Sequence, residues 1–273
     1  MCDKRIRYKK SNKTYSNLIK LLCFLDPLTV RRIKLQGGEP LLDQKGLLLF
    51  LKICRLKGFH CFFPTNGSLL TKDFFCAMVR AGLCELTVSL DSWRAQEHDA
   101  IRGIQGLFDH IIHILTYIRK HYPSFKLELN FLALPQNIHS LDKTISLAKT
   151  LGINTFNILY PENFGKNFGQ IQLTASARQK IKSILLRRQS SRMPIHWNAR
   201  NIKDDAACLW QPDKIIIFEN GDINFCEHFP FKKKYTLDQP LRMILKKPEI
   251  KNFFNSDHRH CHLSRPLRPI LSN

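Results

Sequence analysis

Between residues 31 and 160, extended apolar runs alternate with amphipathic helical runs, and this alternation restricts the fold more than any other feature. The run "FHCFFP" is strand-like, "TKDFFCAMVRAG" is helix-like, and "LCELTVSLDS" is strand-like again. Strands that alternate with helices form βαβ units, in which the strands are parallel and the crossovers right-handed. The pattern therefore predicts a parallel α/β sheet that curls into an open or closed barrel.

The strand-like runs cover 31–36, 59–64, 83–92, 125–134 and 153–160, and we expect the last of them to end the series. Helices are expected at 17–25, 43–58, 71–82, 105–122 and 140–152. Candidate N-caps are Asp43, Thr71 and Ser140, and glycines stop three of these helices, at Gly58, Gly82 and Gly152. In the run 125–134, apolar residues alternate with Lys126, Glu128 and Asn130, which predicts one apolar and one polar strand face.

After Pro161 the pattern changes. A Gly/Asn-rich stretch, "ENFGKNFGQ", leads to a predicted helix at about 175–189, and the later run containing "ENGD" reads as a β-hairpin. We therefore expect a core domain at 1–162, a connecting segment with one helix at 163–204, and a small extension at 205–273.

Composition limits the class of protein. The chain has 273 residues, 44% of them hydrophobic, and no apolar run is long enough to cross a bilayer. The nearest approach to a signal peptide, "NLIKLLCFLDPL", is interrupted by Lys20 and Asp26 and lacks a small-residue cleavage site. We expect no targeting segment, no membrane partner and a cytoplasmic location.

The formal net charge of +21 raises the question of a polyanionic partner. The basic residues are scattered, and no nucleic-acid-binding motif accompanies them. A solvated basic surface is therefore favoured over nucleic-acid binding, which stays open as the weaker alternative.

Nine cysteines without a secretory signal argue against a disulfide framework. Their apolar surroundings predict that Cys54, Cys61, Cys76 and Cys84 lie in the core, and that Cys23 lies on an apolar helix face.

The ends of the predicted strands carry polar motifs: "LQGGEP", "FPTNG" and "VSLDS". In parallel α/β folds, ligands bind at the carboxyl ends of the strands. Gly37 and Gly38 allow a ligand to approach the backbone, Glu39 suits an ammonium group, and Pro40 stiffens the turn. Together these residues could hold a zwitterionic amino acid, and the alternative is a plain βα turn.

With these motifs in this order, the chain resembles the radical SAM superfamily over about residues 1–160. The resemblance rests on "LQGGEPLL", "FPTNGSLLT", "LTVSLDS", "HDAIRGIQGLFDHII" and "SLAKTLGINTFNI". It implies a partial (βα)6 barrel with a [4Fe-4S] cluster that reductively cleaves S-adenosylmethionine (SAM). The product would be a 5′-deoxyadenosyl radical that abstracts hydrogen from a substrate.

The resemblance also implies cofactor-binding residues. Gly37, Gly38, Glu39 and Pro40 match the motif that binds the methionine amino group of SAM. Ser89 and Asp91 fall where the family places ribose-contacting or substrate-facing groups, and Asn66 and Asn130 are weaker candidates for the same pocket.

The family holds its cluster with a C-x3-C-x2-C motif, and Cys2 is the residue that stands in the corresponding region. We expect Cys2 to be the third ligand and Met1 an internal residue, with the first strand and two cysteines upstream. Without that strand, the run "IKLQ" would form an uncovered sheet edge beside the active site, with unpaired backbone N–H and C=O groups. The alternative is that Cys2 is an incidental terminal thiol.

A second resemblance covers about residues 205–273. Cys208, Gly221 and Cys226 follow the pattern C-x12-G-x4-C, and Cys261 follows later, as in the twitch/SPASM-type extension that ligates auxiliary Fe–S clusters. Ser264 stands where that extension has its last cysteine. One auxiliary cluster on Cys208, Cys226 and Cys261, a Cys/His zinc site and a metal-free vestige are the alternatives.

The expected function is that of a radical SAM enzyme acting on an unidentified small-molecule or peptide substrate, with flavodoxin or ferredoxin as the electron donor that the family implies. A degenerate, non-catalytic relic is the first alternative, because one cysteine cannot hold a catalytic cluster. An RNA-modifying radical SAM protein is the second.

Overall fold

A computed structural model describes residues 14–160, 173–188, 193–198, 215–218, 220–224 and 235–255. They form two compact units: 32–56 with the described residues of 60–198, and 14–31 with 57–59 and the described residues after 198. Across these described stretches, no helix is both long and apolar enough to cross a membrane.

The first unit contains a sheet of six described strands, all parallel and adjacent in chain order. They are β1 (Arg32–Lys34), β2 (His60–Thr65), β3 (Glu85–Ser89), β4 (Lys126–Leu132), β5 (Thr155–Leu159) and β6 (Ile195–Asn198). This confirms the predicted α/β fold with a curled parallel sheet. The expectation that 153–160 ends the series is wrong, because β6 pairs with β5; its four residues, "IHWN", are too few to show a period.

The described helices are α1 (Thr14–Leu21), α2 (Gln44–Leu56), α3 (Lys72–Ala81), α4 (Ala95–Arg102), α5 (Leu107–His121), α6 (Leu141–Thr150), α7 (Ala175–Arg187), α8 (Leu241–Leu245) and α9 (Pro248–Asn255). Short 3-10 turns occur at Leu22–Phe24, Pro40–Leu42 and Ile138–Ser140. Helices α2 to α7 belong to the first unit.

Two of the three predicted N-caps are confirmed. The Thr71 hydroxyl accepts a hydrogen bond from the Phe74 amide at 3.1 Å, and Asp43 accepts one from the Gly46 amide at 2.9 Å. Ser140 precedes α6 but makes no capping hydrogen bond. Its hydroxyl donates to the carboxylate of Glu97 instead, so this prediction is wrong.

The two faces of the sheet differ sharply. On one face the side chains are fully buried and apolar: Leu86, Val88, Leu127, Leu129, Phe131, Phe156 and Ile158. The buried sides of the helices complete this core, and Gly67 shows how tightly it is packed. A Cβ on Gly67 would lie 2.9 Å from Cγ1 of Ile111 on α5 and 3.4 Å from Cγ1 of Val88.

The second unit contains an antiparallel sheet of β7 (Ile216–Ile217), β8 (Asp222–Asn224) and β9 (Tyr235–Thr236). The pairing of β7 with β8 confirms the hairpin predicted at "ENGD", where Gly221 has φ +87°. Its buried core is Ile223, Tyr235, Leu237, Leu241, Ile244 and Ile250. Leu21, Phe24, Leu25 and Val30 pack against that core, so α1 and the segment after it are part of the second unit.

The structure confirms some of the predictions for the cysteines and contradicts others. Cys54 and Cys61 are buried, as expected, and Cys76 is half-buried. Cys84 is exposed, because it precedes β3 at the amino end of the strand rather than lying within it. Cys23 is exposed as well, in the 3-10 turn that follows α1.

Candidate active site

The second face of the first unit's sheet carries many polar side chains, and those on β4 are half-exposed. On β4, Lys126, Glu128 and Asn130 alternate with fully buried apolar residues, which confirms the predicted two-faced strand. Parallel sheets are normally covered on both faces and therefore apolar on both. A polar, half-exposed face on such a sheet marks the side on which a ligand can be held.

Charged side chains occupy the amino-terminal half of this polar face. On β3, Glu85 Oε2 forms ion pairs with Arg32 Nη2 at 2.7 Å and with Lys126 Nζ at 2.8 Å. Lys126 Nζ also lies 3.3 Å from Glu128 Oε1. Burial opposes the charge of Lys126, but the two carboxylates outweigh it and raise its pKa. The two carboxylates and the two cations compensate one another's charge and therefore stabilise this end of the face.

Hydroxyl, carboxamide and imidazole side chains lie in the carboxyl-terminal half. Ser89, Asn130, Asn157 and His196 lie in register on β3, β4, β5 and β6. The Asn157 amide nitrogen donates to Asn130 Oδ1 at 3.2 Å and to Glu128 Oε2 at 3.3 Å. Of this row, the sequence predicted Ser89 and Asn130 as site residues.

The site predictions omitted Glu128, Asn157 and His196. A signal for two of them was present, since "LELNF" and "TFNIL" both place polar residues between apolar ones. Applying the period-2 pattern to β5 as well as β4 would have placed Asn157 beside Asn130. His196 had no such signal, because the strand that carries it was not predicted.

The predicted Gly37–Pro40 motif follows β1 at the carboxyl edge of the sheet. Gly37 and Gly38 are exposed, and a Cβ built on either would meet no described atom within 4 Å. The Glu39 carboxylate accepts hydrogen bonds from Thr65 Oγ1 at 2.7 Å, the Asn66 amide at 2.8 Å and the Leu41 amide at 3.2 Å. Glu39 therefore ties the end of β1 to the end of β2, while its predicted contact with an ammonium group stays a prediction.

Asn66 lies beside Glu39 in the loop after β2. Its side-chain oxygen accepts a hydrogen bond from the Ser68 amide at 2.8 Å, which forms a local turn at the strand end. The structure thus brings Glu39 and Asn66 together, and it places Ser89 and Asn130 in register on neighbouring strands.

Asp91 is fully buried just beyond β3 and is engaged within the protein. One carboxylate oxygen accepts a hydrogen bond from the Leu132 amide at 2.8 Å, and the other lies 2.6 Å from Arg102 Nε. The observed role of Asp91 is to join the ends of β3 and β4 to α4. A direct contact with a cofactor stays a prediction.

His98 supports the same junction. Its Nδ1 accepts a hydrogen bond from the Asp91 amide at 3.1 Å, so the imidazole is neutral with its proton on Nε2. Burial lowers the pKa of His98 to about 4, and the cation of Arg102 adds to this against the opposing carboxylate of Asp91. The strand end therefore rests on a histidine that stays uncharged at neutral pH.

The predicted metal ligands Cys2, Cys208, Cys226 and Cys261 lie outside the described residues. Within the described ranges, no group of three or more His, Cys, Asp or Glu side chains is placed to hold a metal ion. The site that can be built from contacts is therefore the polar face and the loops at its carboxyl edge.

Comparison with known proteins gives the family context. The family model "Radical SAM superfamily" matches residues 2–148. An AdoMet-dependent heme synthase from Methanosarcina barkeri is 23% identical over 79% of this chain and 68% of its own length. A probable GTP 3′,8-cyclase from Sulfurisphaera tokodaii is 29% identical over 57% of this chain, which corresponds to 47% of the relative.

Solved structures share the fold. Streptococcus suis SuiB bound to S-adenosylmethionine aligns with a TM-score of 0.70 and 14% identity, covering 92% of this chain and 62% of that one. Native anSMEcpe with bound AdoMet aligns with a TM-score of 0.64 and 12% identity over 90% of this chain and 74% of that one. At these identities the likeness shows the fold alone.

Proposed function

Because the chain belongs to the radical SAM superfamily, we propose that it binds SAM at the carboxyl edge of its polar sheet face and supports reductive cleavage of SAM. The resulting 5′-deoxyadenosyl radical would abstract hydrogen from a substrate held on the same face. The observation that carries the proposal is the half-exposed polar face of a parallel sheet, bordered by the loops at Gly37–Pro40 and Asn66.

The described residues suit the amino-acid end of SAM. The space beside Gly37 and Gly38 leaves their backbone accessible to a ligand's polar groups. Three donors hold the Glu39 carboxylate in one orientation, so it would meet an ammonium group without reorganising. In this proposal Ser89 and Asn130 line the next part of the pocket.

An Fe–S cluster held by thiolates supplies the electron for SAM cleavage when it is bound. We propose Cys2 as one ligand, and Cys208, Cys226 and Cys261 as ligands of an auxiliary cluster in a twitch/SPASM-like C-terminal unit. A low-potential donor such as flavodoxin or ferredoxin would reduce the centre. The names of the relatives point to different reactions, so the substrate class is not taken from them.

SAM binding by the purified full chain, measured by isothermal titration calorimetry, tests the proposal. In Gly38→Val, the added side chain enters the space beside the backbone, so we expect at least about tenfold weaker SAM binding with unchanged thermal unfolding. The matched control is Leu42→Val, at a 72% exposed side chain just beyond the motif, which should bind SAM like the wild type. Equal binding by Gly38→Val would contradict the proposed location.

Activity separates the enzyme from the non-catalytic alternative. The protein, extended to include the two cysteines expected upstream of Cys2, would be reconstituted anaerobically with iron and sulfide, reduced with dithionite, and assayed for 5′-deoxyadenosine. We expect 5′-deoxyadenosine to form. Cys2→Ser should abolish its formation while SAM binding is retained. SAM binding without any 5′-deoxyadenosine would favour the relic, and the absence of both would overturn the proposed function.

A further inference from the structure

Two carboxamides on neighbouring strands form a hydrogen-bonded pair in the middle of the polar face. Asn130 on β4 and Asn157 on β5 are in register, and both are half-buried. The Asn157 amide nitrogen lies 3.2 Å from Asn130 Oδ1.

Glu128 fixes the orientation of both carboxamides. An ionised carboxylate only accepts hydrogen bonds, so the group of Asn157 that faces Glu128 Oε2 at 3.3 Å must be its NH2. The same NH2 then requires an acceptor on Asn130, which turns the oxygen of Asn130 toward Asn157. Glu128 is itself held by Lys126 Nζ at 3.3 Å and by the Thr87 hydroxyl at 3.4 Å.

This arrangement leaves one free donor and one free acceptor on the pair, one on each of two neighbouring strands. Both protons of the Asn157 NH2 are used internally, so its Oδ1 remains as an acceptor, and the NH2 of Asn130 remains as a donor. Neither group has a hydrogen-bond partner among the residues that the structure describes. Ser89 on β3 and His196 on β6 flank the pair at the same level of the sheet.

We propose that Asn130 and Asn157 form a recognition edge that binds a ligand group carrying both an acceptor, for the Asn130 NH2, and a donor, for the Asn157 oxygen. Such a group is the edge of a nucleobase or a carboxamide; in adenine, the N6 amino group is the donor and N7 an acceptor. Glu128 is the positioning residue, since it selects one of the two orientations of the pair. The inference rests on the proposed function, and the ligand is either the adenine of SAM or a base or amide of the substrate.

The sharpest variant is Asn130→Asp. A carboxylate at this position still accepts the hydrogen bond from Asn157, so the internal pair is kept, but the outward donor becomes an acceptor. We expect a loss of ligand affinity of about 10- to 100-fold without a change in the thermal unfolding midpoint. If Asn130→Asp does not fold, Asn130→Ala removes the same donor without adding charge.

The pH dependence gives a second readout. Protonation of the carboxylate that Asn130→Asp introduces would restore an O–H donor, so the ligand affinity of this variant should recover as the pH is lowered while wild-type affinity does not rise. A merely structural role for Asn130 would produce no such recovery.

Binding measurements with two kinds of ligand show whether the pair recognises the adenine of SAM or a group of the substrate. If the pair reads the adenine of SAM, the wild type should bind SAM at least about tenfold more tightly than the analogue whose adenine is replaced by hypoxanthine, because hypoxanthine has a carbonyl in place of the amino donor. Asn130→Asp should reduce this preference. If the pair reads the substrate, SAM affinity will not change, and SAM-loaded protein should bind nucleosides or N-acetyl dipeptide amides more weakly in the variant.

Glu128→Gln tests positioning. Glutamine can present either oxygen or nitrogen to Asn157, so the pair is no longer held in one orientation. We expect the preference between the adenine and hypoxanthine ligands to fall, with folding retained. The matched control is Gln179→Glu, a charge change at an exposed position of α7, which should leave affinity and preference unchanged.

These measurements distinguish a failure of the proposed function from a failure of the recognition edge. A wild type that binds no SAM overturns the proposed function. A wild type that binds SAM, while Asn130→Asp changes neither the affinity for SAM nor that for any nucleoside or amide probe, overturns the recognition edge alone.

Discussion

The two faces of the parallel sheet show how one set of strands divides structural and ligand-facing tasks. On β4, the helix-covered face has apolar side chains with no exposed surface, whereas the side chains of the opposite face are half-exposed and mostly polar. Residues one position apart on the same strand therefore contribute to different properties: Phe131 to stability and Asn130 to the candidate site.

Charge is compensated differently at two places in the first unit, the polar face and the helix α4 that follows β3. On the polar face, Lys126 has carboxylate partners that raise its pKa. At the buried end of β3, burial lowers the pKa of His98 and keeps it neutral. A charge is therefore retained where partners or water compensate it, and His98, whose charged form burial opposes, stays neutral.

The largest expected difference between the faces is in the free energy of unfolding. Phe131→Ala removes a fully buried ring from the helix-covered face, and we expect a loss of about 3–5 kcal/mol in denaturant unfolding. The neighbouring Asn130→Ala, on the polar face of the same strand, should cost less than about 1 kcal/mol. Similar losses from both changes would contradict the assignment of the two faces.

The second effect is a pH dependence from His98. Its pKa of about 4 lies below the ordinary value of 6.5, so between these values the unfolded chain binds a proton that the folded chain does not. The free energy of unfolding should therefore fall as the pH drops from about 6.5 to about 4, by about 3 kcal/mol in total. His98→Asn keeps an acceptor for the Asp91 amide and cannot titrate, so its profile should be flatter over this range; an identical profile would show that another group is responsible.

A smaller effect is expected at the charged end of the polar face. Glu85→Gln removes the carboxylate shared by Arg32 and Lys126, which are 54% and 44% exposed and can be rehydrated. We expect a destabilisation of about 1–2 kcal/mol and a lowered pKa of Lys126, measured by NMR titration. Asp109→Asn, at an exposed position in the first turn of α5, serves as the control and should cost no more than about 0.5 kcal/mol.

The smallest effect on stability should come from Ser89→Ala. This half-exposed hydroxyl has no side-chain hydrogen bond among the described residues, so its removal should change unfolding by less than about 0.5 kcal/mol. SAM affinity, measured by calorimetry, should nevertheless fall several-fold if Ser89 contacts the cofactor. A loss of stability with unchanged SAM affinity would show that Ser89 contributes to the stability of the fold and does not contact the cofactor.

The alternation of strands and helices, the two faces of β4 and the helix caps at Asp43 and Thr71 could all be predicted from the amino-acid sequence alone. These features depend on periodicity and on bonds between residues close in the chain, which local patterns record. The motifs at the strand ends could be predicted as site residues for the same reason, because chain order fixes the edge on which parallel strands end.

Which polar residues contact one another became known only from the folded chain. Ser140 bonds to Glu97 rather than capping α6, Asp91 is buried against Arg102, and Glu128 orients Asn157. The folded chain also shows that β6 joins the sheet and that α1 belongs to the core of the second unit. These outcomes depend on contacts between residues far apart in the chain, and a local pattern carries no information on which distant partner compensates a buried polar group.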